Sequence, residues 1–173
     1  FYGKGPVYWE NIVTPKRVRN PYSQYGYYFL TEGEPKLIDN EKFLKSVYPL
    51  ADDYHELHEI DNFAWFPGGN KLFEDTPIAL GKSHTYTIPN ASKSTGGVMG
   101  IGVSTGKYNS TVEIKVNGRS VGVMSVKRTS SEFDFGGLTE QVYPLNNLQT
   151  TDSITIRTTS GGPVRLDYIA MNY

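Results

Sequence analysis

Two histidines, His55 and His58, stand three residues apart in the stretch Tyr54-His55-Glu56-Leu57-His58-Glu59-Ile60. On a helix that spacing puts both imidazoles on one face, where they could bind zinc. On a strand it points them to opposite faces. The stretch alternates in polarity as well, so a strand and a helical turn both stay open, and no third ligand extends a metal pattern. Adjacent acids occur at Asp52-Asp53 and Glu74-Asp75. Glycoside hydrolysis needs two carboxyls facing across a cleft, a relation that neighbouring positions along the chain do not set. Asp52, Asp53, Asp61 and Asp167 are acids a calcium ion in a loop could use, but their spacing matches no ligand set. Gly81-Lys82-Ser83-His84-Thr85 resembles the tail of a phosphate loop, yet Thr76 stands where the leading glycine belongs. The chain has no cysteine, which removes disulfides, thiolate metal sites and a cysteine nucleophile together. No Gly-x-Ser-x-Gly elbow is present. No catalytic residue, metal or cofactor is expected.

What the sequence offers for recognition is aromatic. The run Asn20 to Gly33 holds Tyr22, Tyr25, Tyr27, Tyr28 and Phe29. On a strand, Tyr25, Tyr27 and Phe29 share one face, and Tyr28 and Leu30 the other. A strand apolar on both faces is covered on both sides. Trp9, Tyr22, Tyr25, Tyr28, Trp65 and Tyr108 are the candidate binding residues, either for docking a protein surface or for stacking a sugar. A sugar platform would need these rings flat and exposed. A patch left open around Trp9 and Tyr22 would favour weak self-association.

The elements that position these residues read as strands. Thr111 to Val116 alternates polar and apolar, Asn117-Gly118 marks a tight hairpin turn, and Val121 to Val126 returns as its partner. His84 to Ile88, Val98 to Val103, Ile154 to Thr158 and Val164 to Met171 add further strands. Short strands between turn signals predict an all-β, jelly-roll type β-sandwich of the galactose-binding-like kind. Residues 51–173 form that sandwich. Residues 1–50 form an N-terminal aromatic β-hairpin extension, with a short helix possible over Asn40 to Tyr48, packed with the sandwich as one unit. The loop from Asn62 to Asp75 centres on Pro67-Gly68-Gly69.

Length and charge narrow the class. The 173 residues suffice for one well-buried domain. Lys+Arg 17 against Asp+Glu 18 leaves no basic patch for nucleic acid or an anionic membrane. No apolar stretch is long enough to span a bilayer. The start at Phe1-Tyr2-Gly3 reads as the end of a strand and no signal peptide opens the chain, so a domain excised from a larger protein is expected. The lack of cysteine suits a bacterial source.

Four stretches together resemble a known family. They are Phe1-Tyr2-Gly3-Lys4-Gly5-Pro6 with Trp9; Asn20-Pro21-Tyr22-Ser23-Gln24-Tyr25 running into Tyr27-Tyr28-Phe29-Leu30-Thr31; His55 or His58 with Glu59 and Asp61-Asn62, followed by Gly69 to Asp75; and Leu166-Asp167-Tyr168-Ile169 with Asn172-Tyr173. In that order they resemble the non-catalytic β-region preceding the peptidase domain of PorU proteins. These are gingipain-related cysteine peptidases acting as sortases of the type IX secretion system. The family pattern in the third stretch reads Gly-Arg-x-Trp-Phe-Gly-Glu. Gly69, Phe73 and Asp75 fit it, while Asn70 and Leu72 replace the arginine and tryptophan, so another gingipain-like surface peptidase fits as well. The resemblance implies an inert module that positions or docks a downstream caspase-like domain of the same chain, or its secreted protein substrates. It also implies secretion to the surface of a bacterial outer membrane. A carbohydrate-binding sandwich is the alternative.

Overall fold

The computed structural model describes residues 55–67, 69, 71–130 and 135–173, the backbone of 7–9 and 17–19, and residues 25, 32 and 33. Ten strands and no helix occur among the described residues. β1 (Val7–Trp9) and β2 (Arg17–Arg19) pair antiparallel as a separate two-stranded ribbon. β3 (His55–Glu59), β10 (Val164–Asn172), β5 (Gly96–Thr105) and β8 (Gly137–Asn146) form one antiparallel sheet in the order β3-β10-β5-β8. β4 (Ser83–Pro89), β9 (Thr151–Ser160), β6 (Ser110–Val116) and β7 (Arg119–Val126) form the other, in the order β4-β9-β6-β7. The molecule is the all-β sandwich that the alternation predicts.

The pattern of each strand explains its place. In β6, Val112, Ile114 and Val116 are buried while Thr111, Glu113 and Lys115 are half-exposed, the period of two a one-sided strand requires. In β9, Ile154 and Ile156 point the same way into the core. β5 is the inner strand between β10 and β8, and presents Met99, Ile101 and Val103, all fully buried. These side chains meet Leu166, Ile169 and Met171 of β10 in one continuous core. Each such burial contributes about 1.5–3 kcal/mol, which is what holds the two sheets face to face.

Sequence and structure differ in two places, and the structure decides an open choice in a third. β8 was not legible: Gly137 to Asn146 includes Pro144, which breaks a strand pattern but is tolerated on a sheet edge, where β8 lies. The stretch around His55 and His58 is a strand. Tyr25 stands at a bend rather than inside a strand. The remainder of the tyrosine strand, the helix expected over 40–48, Tyr22 and Tyr28 lie outside the described residues, as does the side chain of Trp9.

Candidate functional site

The loop between β3 and β4 folds back on itself through a bridge between Phe63 and Phe73. That bridge carries Phe63, Trp65 and Phe66 across the end of the sandwich. Phe63 meets Trp65 edge-on, with centroids 5.2 Å apart and planes at 89°. The Trp65 indole N–H donates to Ser104 Oγ at 3.1 Å, which fixes the ring against β5. Arg165 of β10 lies over Phe63, its guanidinium carbon 3.5 Å from the centroid, and 5.6 Å from Trp65. The same guanidinium donates from Nη1 to the carbonyl of Glu74 at 3.1 Å and to that of Asp75. Burial lowers the pKa of Arg165, with Asp75 opposing that shift, and the group stays charged.

Gly106 and Gly136 let the backbone reach the indole. A Cβ on Gly136 would stand 2.1 Å from Trp65 Cδ1, and one on Gly106 2.8 Å from Cζ3. Trp65 is therefore a packed floor, not an open platform. Above it, Phe66 and Phe135 stack with centroids 5.1 Å apart and planes 11° from parallel. They stay 52% and 49% exposed, which is unusual for phenylalanine. With Lys71, Lys127 and Arg128 they line an open groove of about 520 Å³. No acidic side chain is among its described lining residues, and no ion pair engages these three cations among the described residues. The groove can take up an anionic surface that also carries an apolar or aromatic side chain.

Of the candidate binding residues, Trp65 lies in this groove. Tyr108 is exposed in the turn between β5 and β6, and no ring contact joins it to Trp65 among the described residues. Tyr25 is exposed at its bend. Phe66, Phe135, Lys71, Lys127, Arg128 and Arg165 were missed. Phe66 directly follows Trp65 and was the available signal; the others meet only through the fold.

The histidines go to different places, as a strand demands. His55 is exposed, while His58 is half-buried with its ring 4.9 Å from Tyr86. His84 stacks on the same tyrosine at 4.7 Å. The Tyr86 hydroxyl donates to Glu74 Oε2 at 2.8 Å, and both residues are buried. Burial raises the Tyr86 pKa well above the ordinary phenol value, and the Glu74 carboxylate raises it further. Asp75 is tied differently: its N–H donates to Asn62 Oδ1 at 2.8 Å. Glu74 and Asp75 thus brace the loop and do not face each other across a cleft.

Asp61 and Asp167 do come together. Carboxylate oxygens of Glu59, Asp61 and Asp167 lie within 4.8 Å of one another. The cause is the pairing of Glu59 with Tyr168 together with a bulge at Asp167, where β10 slips past β5 between Leu166 and Tyr168. Bulges re-aim a side chain in this way. Three such oxygens are of a kind that suits a hard divalent cation, and each residue also takes part in an interaction within the chain. Asp52 and Asp53 lie outside the described residues.

No family model and no curated protein matches the chain. Solved structures do. Dimeric latent PorU from Porphyromonas gingivalis superposes over 99% of this chain with a TM-score of 0.61 and 20% identity. The fold is PorU-like. This chain spans only 18% of that PorU chain. A family 35 carbohydrate-binding module from an environmental isolate matches at TM-score 0.44 and 15% identity, covering 67% of this chain and 83% of its own. A CBM36-1 domain of a multidomain xylanase from the hindgut metagenome of Trinervitermes trinervoides matches at TM-score 0.42 and 15% identity, over 68% of this chain and 96% of its own.

Proposed function

We propose that the chain is a non-catalytic module of a larger gingipain-like surface cysteine peptidase of the PorU, type IX sortase kind. It docks or positions the caspase-like domain that follows it, or the secreted proteins that domain acts on, at the outer-membrane surface. The observation that carries this reading is the groove. Stacked, half-exposed Phe66 and Phe135 stand beside Lys71, Lys127 and Arg128, to which the described residues supply no ion-pair partner. Aromatic side chains and arginine are enriched at protein interfaces, and the two lysines add positive charge at the rim. The PorU-like fold over the whole chain supports the same reading. The fitting contact surface is acidic with an apolar anchor.

A carbohydrate-binding role finds less support, because backbone packs against Trp65 at both Gly106 and Gly136. The test is mixing this chain with the peptidase domain of its parent protein and measuring association by sedimentation. Association is expected, and is expected to be lost in the Phe66→Ser, Phe135→Ser double variant and weakened by salt and by Arg128→Glu. Association that ignores these substitutions would remove the groove from the account. Oligosaccharide binding without protein association would favour the carbohydrate reading. A parent gene without a His/Cys peptidase domain would end the peptidase reading altogether.

A further inference from the structure

The hairpin between β6 and β7 turns on Asn117 and Gly118, with φ of 50° and 78°. Asn117 is bonded three times to the start of β9. Its backbone N–H donates to Ser153 O at 2.8 Å. Its Oδ1 accepts from the Ser153 N–H at 2.9 Å, and its Nδ2 donates to Asp152 Oδ1 at 2.6 Å. Asp152 is fully buried. Its Oδ1 also accepts from the Gln149 N–H at 2.9 Å, while its Oδ2 is buried with no hydrogen-bond partner. No ion pair engages Asp152 among the described residues. A buried carboxylate is thus held by the amide of Asn117 and one backbone N–H, with no counter-charge among the described residues.

An asparagine followed by glycine is open to attack by the next backbone nitrogen, because glycine has no side chain to hinder the approach. We propose that Asn117 is a spontaneous modification site which the fold keeps closed, and that its irreversible conversion to a carboxylate opens the β6–β7 hairpin at neutral pH. In the chemistry, the Gly118 nitrogen gives its proton to water and bonds to Asn117 Cγ. The bond from Cγ to Nδ2 breaks, and that nitrogen leaves as ammonia after taking a proton from water. Water then opens the five-membered imide at either carbonyl. One opening leaves aspartate at 117; the other leaves isoaspartate, with the chain running through the side-chain carboxyl. The net change consumes one water and releases one ammonia. No oxidant or enzyme is needed.

The native hairpin resists this because attack needs Cγ to swing over the Gly118 nitrogen, while both side-chain bonds hold it towards β9. Reaction therefore passes through local opening. The product cannot resume the native position at neutral pH. An acceptor replaces the donor that faced Asp152, and two carboxylates would meet in a buried site. The charged groups around the turn do not relieve this: Lys115 is paired with Glu113, Arg119 is exposed to solvent, and the Tyr173 phenol is raised by burial first and then by Asp152 and Glu56. Isoaspartate also lengthens the backbone inside a turn that has no room for it in register.

Two measurements decide. The native chain and the same chain in urea are incubated at neutral pH, and isoaspartate at 117 is read by isoaspartyl methyltransferase labelling and peptide mass. The native rate is expected to be at least about tenfold lower; equal rates overturn the protected site. Separately, Asn117→Asp is expected to melt well below the wild type at neutral pH and to recover on acidification, while Asn117→Asp with Asp152→Asn melts near the wild type. If Asn117→Asp alone does not fold, rescue by Asp152→Asn carries the same information. A single variant as stable as the wild type at neutral pH, or a double variant no better than the single, overturns the opening of the hairpin.

Discussion

The Arg165 guanidinium carbon lies 3.5 Å from the centroid of the Phe63 ring, and its Nη1 donates to the carbonyls of Glu74 and Asp75. One side chain of β10 therefore fastens the aromatic floor of the groove to the segment that closes the same loop. Arg165→Met keeps the length of the side chain and removes the charge and the donors. A stability loss of about 1–3 kcal/mol is expected, from the cation–π contact and unpaired carbonyls together. Chemical denaturation checks it. Tryptophan emission should shift as Trp65 loosens, and a melt and spectrum matching the wild type would show that the loop is held elsewhere.

Gly136 sits against the indole so closely that an added Cβ would stand 2.1 Å from Cδ1. Gly136→Ala should therefore displace Trp65 or the backbone, break its bond to Ser104, and cost about 1–3 kcal/mol. Gly33→Ala is the control, since nothing lies within 4 Å of its Cβ position. Melting of the two variants side by side tests the packed floor. Equal melting temperatures would mean that Trp65 moves aside freely and is available to a ligand after all.

Gly118 has open space around its Cβ position, so Gly118→Val tests backbone conformation alone. With φ at 78°, a β-branched residue there is strained by about 1–3 kcal/mol. An unchanged melting temperature would mean that the turn relaxes to another type without cost.

The sandwich was legible because β4, β6 and β9 each keep an alternation that a half-buried strand imposes, and Asn117-Gly118 sets one register by its own turn geometry. The groove was not legible, because its parts lie far apart in sequence. Phe66 and Phe135 are 69 positions apart (135 − 66) and stack only because the β3–β4 loop folds back onto the start of β8. Asp167 reaches Asp61 through a bulge that no local pattern announces. Pairwise meetings of this kind depend on which strands pair, and alternation within one strand carries no such information.

Tyr86 links the edge of one sheet to the loop that crosses the other. Burial and the Glu74 carboxylate raise its pKa well above about 10, the ordinary phenol value. Burial raises Tyr143 too, and Tyr173 is raised by burial and then by Asp152 and Glu56. A phenol whose folded pKa exceeds its unfolded one keeps its proton in the native state after the unfolded chain has lost it. Its contribution is whole below about pH 10 and drains away as pH climbs towards the folded value. The protein should therefore lose stability steeply as pH rises above about 10. Tyr86→Phe should be less stable at neutral pH by about 1–3 kcal/mol, since Glu74 Oε2 loses the hydroxyl that donates to it. The same variant should fall less steeply on the alkaline side, with Tyr143 and Tyr173 supplying the remaining slope. Urea midpoints of both proteins across that range measure the two effects separately. Parallel curves would mean that the Tyr86 hydroxyl already reaches solvent and that its bond to Glu74 contributes nothing to holding the two sheets together.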